Sequence, residues 1–249
     1  MSYAFDFSGF EMYAGMLTRG VAVTLGLTAV STVLGGVVGV AGASVSVAGP
    51  RWARTLVTAY VELIRNTPFI VQLFFIFFGL PGLGIHIDET SAAILAMTVN
   101  LGAYATEIVR AGIDSIPRGQ VQAAMALGLH NRQVFRHIVL PQAIANVFPA
   151  LLSQVLIVML GSAVVSQISV PDLTYAANFI QSRNFRSFES YLIITVTYLV
   201  LSIVLRQLLN RLGTGLFAGR MPRTPAAPRG LFRMLFAWRG ARALPTERP

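Results

Sequence analysis

The sequence predicts an all-α membrane protein with five transmembrane helices, its N-terminus outside and its C-terminus cytoplasmic. Three observations lead there. Of 249 residues, 55% are hydrophobic and only 12% charged, about half the charge of an ordinary soluble domain. The charges leave five long uncharged runs, and they fall unevenly on the two sides of those runs. All 19 basic residues are arginine, against 10 acids, for a net +9. Read alone, that charge would suggest nucleic acid or an anionic membrane surface. With so much apolar sequence, membrane topology is the better cause, and no nucleic acid partner is inferred. Zero cysteines exclude a disulfide framework, a thiolate zinc site and a cysteine nucleophile. His86, His130 and His137 are too scattered for a metal site, and no catalytic set emerges.

Residues 1–14 read as an outer interfacial segment, since Tyr3, Phe5, Phe7, Phe10 and Tyr13 suit the headgroup region; a frayed end is the alternative. Asp6 and Glu11 precede the first basic residue, Arg19, so this is not a cleaved signal peptide. A transmembrane domain follows over residues 15–212. Its uncharged runs are Gly20–Pro50, Asn66–Ile87, Thr90–Thr106, Ile138–Pro171 and Ser190–Leu205. A spanning helix needs about 20 mostly apolar residues, with roughly 17–25 tolerated. The first, second and fourth runs meet this outright. The third and fifth are shorter, but Glu107, Arg110 and Arg206 can snorkel from their ends. In the first span Gly35, Gly39 and Ala43 form a small-residue stripe, suited to packing within the chain or to a subunit contact.

Residues 213–249 form a basic, Pro/Gly-rich cytoplasmic tail. Within it, residues 229–242 place Leu231, Leu235 and Trp238 on one helical face among four arginines. They read as a short interfacial helix on an anionic membrane surface, or as plain disorder.

Orientation follows from the arginines. One side holds Arg19, Arg183 and Arg186; the other holds the remaining 16. Without the nine from Arg206 onward, the split is still 3 against 7. The positive-inside rule then puts the C-terminus in the cytoplasm.

The largest cytoplasmic loop, residues 113–142, carries the clearest organisation. Pro117 suits the first position of a helix, where its missing N–H is not needed. Val121, Met125 and Leu129 recur at helical spacing, with Ala124 and Gly128 beside them, giving a narrow stripe of small residues. Gly128 can end that helix in a left-handed cap. Asn131 can cap a second short helix that runs until Pro141 opens the next span. The small-residue stripe of such a protrusion could fit the groove of a soluble partner. A loop lying on lipid headgroups would account for its arginines but not for the alanines, the glycine break or the prolines.

Gln122-Ala123-Ala124, Gly128 and Ile138-x-Leu140-Pro141 resemble the EAA loop of ABC-importer permeases, with matching spacing throughout. The blocks Gly112–Gln120, Leu140–Ala143, Tyr60–Gln72 and Ala103–Arg110 are similar to the polar amino acid subfamily of those permeases, also called the histidine–glutamine–arginine–opine type. The resemblance covers residues 14–212. It implies a type I ABC-importer permease architecture in a bacterial inner membrane. It also implies two ABC ATPase subunits, a second permease, identical or homologous, an external solute-binding protein and an amino acid substrate. The coupling residues it implies are Gln122, Ala123, Ala124, Gly128, Leu129, Ile138, Leu140 and Pro141. Two departures are visible: Gln122 stands where the family has Glu, and Met159–Ser166 lacks the Lys that many relatives carry there. The resemblance therefore does not extend to which amino acid is carried.

The chain has no lysine and so no P-loop. It needs no cofactor of its own, and ATP and Mg belong to the partner ATPase. For the translocation path, uncharged polar residues inside spans need a reason to be there: Thr67, Gln72, Asn100, Tyr104, Ser162 and Ser166. A hydrogen bond between helices is the plainer use of each. Glu107 and Arg110, one turn apart, read as a structural ion pair. The competing function is a self-sufficient secondary carrier or channel for small polar solutes. Such carriers show internal symmetry or paired broken helices, and neither is evident in the sequence.

Overall fold

The structure is a computed structural model that describes residues 5–216, so the tail segment 229–242 lies outside the described residues. Among those described, the regular elements are all helices and no strand occurs. A 3-10 turn, Phe10–Tyr13, leads into α1 (Ala14–Ala48); α2 (Arg51–Arg65), α3 (Phe69–Gly82) and α4 (Glu89–Asp114) follow. Next come α5 (Arg118–Ala126), α6 (Asn131–Val134), a π-helical turn (Phe135–Val139) and α7 (Leu140–Gly161). A 3-10 stretch (Ser162–Ile168), α8 (Leu173–Asn184) and α9 (Ser187–Leu216) complete the chain.

Four continuous helical stretches are long and apolar enough to cross a bilayer: Phe10–Ala48, Glu89–Asp114, Asn131–Ile168 and Ser187–Gly215. A bent pair, α2 with α3, broken by 107°, brings the count to five when the pair is taken as one span. This corrects the expectation that the run Asn66–Ile87 spans by itself. At 14 residues, α3 is about 21 Å long, short of a hydrocarbon core of about 30 Å. The charged residues between the first two uncharged runs form α2, whose Val61 and Ile64 are buried. Pro68 forces the break: residues before proline are pushed out of the α region, and Pro68 itself starts α3 with φ −64° and ψ 140°.

The central contact is α1 against α4. A Cβ on Gly35 would sit 2.9 Å from Leu101 Cβ, and one on Gly39 would sit 2.4 Å from Ala105 Cβ. The small-residue stripe is thus spent on packing within the chain. Around this seam, Leu73, Ala96, Met97, Val165 and Val170 build one apolar cluster, and Ala43, Val109, Ala124, Val134 and Ala143 build another at the α5 end. The apolar stretch of α9 is only 6% buried, so Val196, Leu199, Val200 and Ile203 face lipid or another subunit.

Two further differences have local causes. The helix starting at Asn131 does not stop at Pro141 but runs into α7 through the π turn, in which Leu140 N–H donates to Phe135 O. The wider turn accommodates a proline ring that an i→i−4 ladder would clash with. Between Ile168 and Ser187 lies α8, unforeseen because Asp172, Arg183 and Arg186 make that stretch read as a loop. Asp172 is its N-cap, its Oδ1 accepting Tyr175 N–H at 2.8 Å.

Candidate functional site

Two places gather the residues of interest: the protrusion between α4 and α7, and the bend between α2 and α3.

The protrusion starts where Ile116, buried, anchors the chain and Pro117 takes the N-cap of α5, one position earlier than its spacing suggested. At the other end, Gly128 has φ +83°. Gly128 N–H donates to Met125 O at 2.9 Å and Leu129 N–H to Ala124 O at 3.2 Å. This pair of bonds is the Schellman arrangement, and it satisfies carbonyls the helix would otherwise leave open. A Cβ at Gly128 would meet nothing within 4 Å, so conformation, not space, selects glycine there. His130, not Asn131, is the N-cap of α6, with Gln133 Oε1 accepting its N–H at 2.9 Å. Gln142 Nε2 donates to Gln120 Oε1 and to Ile138 O, both at 2.9 Å, tying α5 to the start of α7.

The protrusion has two faces. Ala124 is buried, and Val121, Leu129, Ile138 and Leu140 pack with it against Ile113, Val134 and Val139. Pro141 is half-buried at the head of α7. Gln122, Ala123, Met125 and Gly128 are exposed, and Leu127 is 82% exposed. The stripe centred on Ala124 therefore holds the protrusion to the bundle, and the opposite face is the one offered outward. This corrects the expectation that the stripe itself meets a soluble partner: Ile113, Val134 and Val139 of the bundle already cover it. Beneath α5 lies a cavity of about 550 Å³ lined by Val47, Ile113, Asp114, Arg118 and Val134 among others.

Glu107 and Arg110 pair in bidentate fashion, Nη2 to Oε1 at 2.5 Å and Nε to Oε2 at 3.0 Å. Asp114, which spacing alone did not single out, joins them through Arg110 Nη1 at 2.9 Å. These three sit at the α5 end of α4.

At the bend, Thr67, Gln72 and Asn100 form one network. Gln72 Nε2 lies 2.7 Å from Ile64 O, 3.0 Å from Thr67 O and 2.9 Å from Thr67 Oγ1. Asn100 Nδ2 donates to Gln72 Oε1 at 2.9 Å. Thr67 Oγ1 donates to Leu63 O at 2.8 Å. Beside the network, Tyr60 OH donates to Val99 O at 2.6 Å, and the Arg65 guanidinium lies 5.5 Å from the centre of the Tyr104 ring, within cation–π range. Asn100 also lines a cavity of about 80 Å³ with Phe69, Met97, Ile157, Val158 and Gly161. Ser162 and Ser166 stay outside this network: their hydroxyls donate to Met159 O at 2.7 Å and Ala163 O at 2.8 Å on their own helical turn. Among the described residues, no group of His, Asp or Glu could hold a metal ion.

Residues 15–217 match the protein family described as "Binding-protein-dependent transport system inner membrane component". The chain is 36% identical over 206 residues to the probable glutamine ABC transporter permease protein GlnM of Bacillus subtilis (strain 168), covering 82% of this chain and 93% of that one. It is 32% identical over 201 residues to the arginine transport system permease protein ArtQ of the same organism, covering 80% and 92%. Over 210 residues it is 32% identical to the glutamine transport system permease protein GlnP of Escherichia coli (strain K12), covering 84% and 96%. Among solved structures it is similar to an amino acid ABC transporter crystallised with histidines, with a TM-score of 0.78 and 34% identity over 85% of this chain and 99% of that one. An inward-facing MetNI methionine ABC transporter chain gives a TM-score of 0.70 at 25% identity, over 83% and 98%.

Proposed function

Because the chain belongs to the family of binding-protein-dependent transport system inner membrane components, we propose that it is the membrane-spanning subunit of an ATP-driven importer of polar amino acids. It works with two ABC ATPase subunits, a second permease and an external solute-binding protein. The N-terminus lies outside and the C-terminus in the cytoplasm. Residues 15–212 form the permease domain, with a coupling loop at 113–142. The chain holds no catalytic residue, and ATP and Mg are bound by the ATPase.

The observation that carries the coupling role is the two-faced protrusion. A rigid helix, closed by a hydrogen-bonded glycine turn and seated through Ala124 and Leu129, presents Gln122, Ala123, Leu127 and Gly128 outward. Force applied to that face passes through the seated apolar side into α4 and α7, so closure of the ATPases shifts the protrusion as a rigid body and the spans follow. Gln122 keeps an amide oxygen for hydrogen bonding but carries no charge, so the dock relies less on a cationic partner than a glutamate would. Glu107, Arg110 and Asp114 brace the base of the protrusion.

For the path, the bend between α2 and α3 is the strongest position, because irregular backbone at membrane depth is tolerated only where protein buries it or a cavity meets it. Thr67, Gln72, Asn100 and Tyr104 cluster there; Ser162 and Ser166 flank it with hydroxyls committed to their own helix. A self-sufficient carrier has no observation in its favour.

Reconstitution tests the reading. The chain, assembled with its ATPase and second permease in proteoliposomes and supplied with binding protein, takes up amino acid only with ATP and Mg. Uptake by the isolated chain on an ion gradient, with no ATPase present, would overturn it.

A further inference from the structure

The bend raises a problem that its own side chains solve. Asn100 is the twelfth of the 26 residues of α4, so the break beside it sits near the middle of that span. An open helix end at such a depth leaves carbonyls unpaired where no bulk water reaches. Gln72, buried to 8% exposure, reaches back over the break. Its amide nitrogen meets Ile64 O, Thr67 O and Thr67 Oγ1, all within 3.0 Å. Two amide hydrogens face three acceptors, so the nitrogen has no donor left for anything else.

The orientation of that amide is dictated. Turned over, its oxygen would face two carbonyl oxygens and a hydroxyl already donating to Leu63 O, and Asn100 Nδ2 would face an NH₂ group. Asn100, on α4, therefore selects the rotamer by donating to Oε1. One hydrogen-bonded chain joins α2, the break, α3 and α4.

We infer that Gln72 is a positioning residue of the translocation path: with Asn100 it fixes the angle between α2 and α3 and makes no contact with the substrate. Asn100 keeps its oxygen and one N–H for the small cavity it lines; Gln72 has no N–H left, and its oxygen already accepts from Asn100. The inference rests on the proposed transport function for its kinetic arm only.

The chain has no cysteine, so Thr58→Cys and Phe78→Cys, both exposed, allow spin labels on α2 and α3 of the full chain in nanodiscs. The single substitution Gln72→Met broadens the label-to-label distance distribution. Asn100→Ala, which removes only the tie to α4, broadens it less. Unchanged distributions in both variants overturn the inference, and the Asn100 variant still reads out if Gln72→Met fails to fold. In the assembled complex, with L-glutamine and L-arginine as probes, Gln72→Met lowers maximal uptake about tenfold while KM stays within about twofold, the pattern of lost positioning and not of lost ground-state binding. A raised KM with maximal uptake retained makes Gln72 a substrate ligand and overturns the inference. If the wild-type complex carries neither probe, the substrate is neither glutamine nor arginine, while the distance measurement still decides the role of Gln72.

Discussion

The backbone N–H of Leu129 reaches the carbonyl of Ala124 at 3.2 Å around a glycine at φ +83°, and both side chains then close in one apolar cluster. Backbone and side chains thus fix the same turn.

Two substitutions at that glycine separate fold from docking. Asn tolerates the left-handed region better than other non-glycine residues, and nothing lies within 4 Å of an added Cβ. Gly128→Asn therefore inserts normally and retains ATP-driven uptake. Gly128→Asp has the same shape but places a negative charge on the outward face, and it loses uptake while remaining inserted. Uptake by the Asp variant equal to that of the Asn variant would remove the docking face from Gly128.

The α1–α4 seam gives a matched pair on one helix. Gly39→Ala drives a methyl to 2.4 Å from Ala105 Cβ; such overpacking costs about 1–3 kcal/mol. Gly36→Ala meets nothing within 4 Å, and it is neutral or stabilising by up to about 1 kcal/mol. Thermal unfolding of the purified chain in detergent ranks them Gly36→Ala at or above wild type and Gly39→Ala below it.

Asp172 confers a pH dependence of known sign. It is fully buried where α8 meets α1 and α9: Tyr198 OH donates to its Oδ2 at 3.3 Å, and Arg19 and Tyr175 line the same cavity. Burial pushes its carboxyl up to about 6, against hydrogen bonds from Tyr175, Thr174 and Tyr198 that pull it down. A carboxyl raised above its unfolded value, about 3.9, binds more protons folded than unfolded between those two values. Its contribution to stability is then fully present below about pH 4 and is lost as pH rises through about 6, with a total of roughly 2–3 kcal/mol. Asp172→Asn abolishes this term, so the wild-type melting temperature minus that of the variant falls between pH 4.5 and 7.5. A flat difference refutes the assignment. Asp6 moves the opposite way, held low by the Ser8 hydrogen bonds and by Arg186; it is common to both proteins and cancels.

The two serines of the 3-10 stretch should matter little to substrate affinity. Both hydroxyls donate to a carbonyl three residues back, a bond worth about 1 kcal/mol in net terms. Ser162→Ala and Ser166→Ala keep the KM for uptake within about twofold; a larger rise puts those hydroxyls in contact with substrate.

The spans and the protrusion were legible where a local rule sufficed. Uncharged runs located α1, α4 and the Asn131–Ile168 helix, and Gly128 announced its own left-handed turn. The rule failed where charge and span coincide. Glu189 is 1% exposed inside α9, accepting Asp6 N–H at 3.2 Å, so a charge-free criterion started that helix three residues late. Arg51, Arg54, Glu62 and Arg65 likewise hid α2, whose buried side is only a strip of Val61 and Ile64.

By itself the sequence determined that this chain lives in a bilayer, where four of its spans lie and where a compact element projects, because hydropathy, proline and glycine act on their immediate neighbours. Only the tertiary structure decided what the polar residues inside the spans do. Gln72 stands 28 positions from Asn100, and the amide can choose its partners only once α4 has been laid beside the break. The direction in which Ala124 faces was settled the same way. A helical stripe specifies a face, but the cluster of Ile113, Val134 and Val139, brought together from three elements, determines that the bundle, not a partner, covers it.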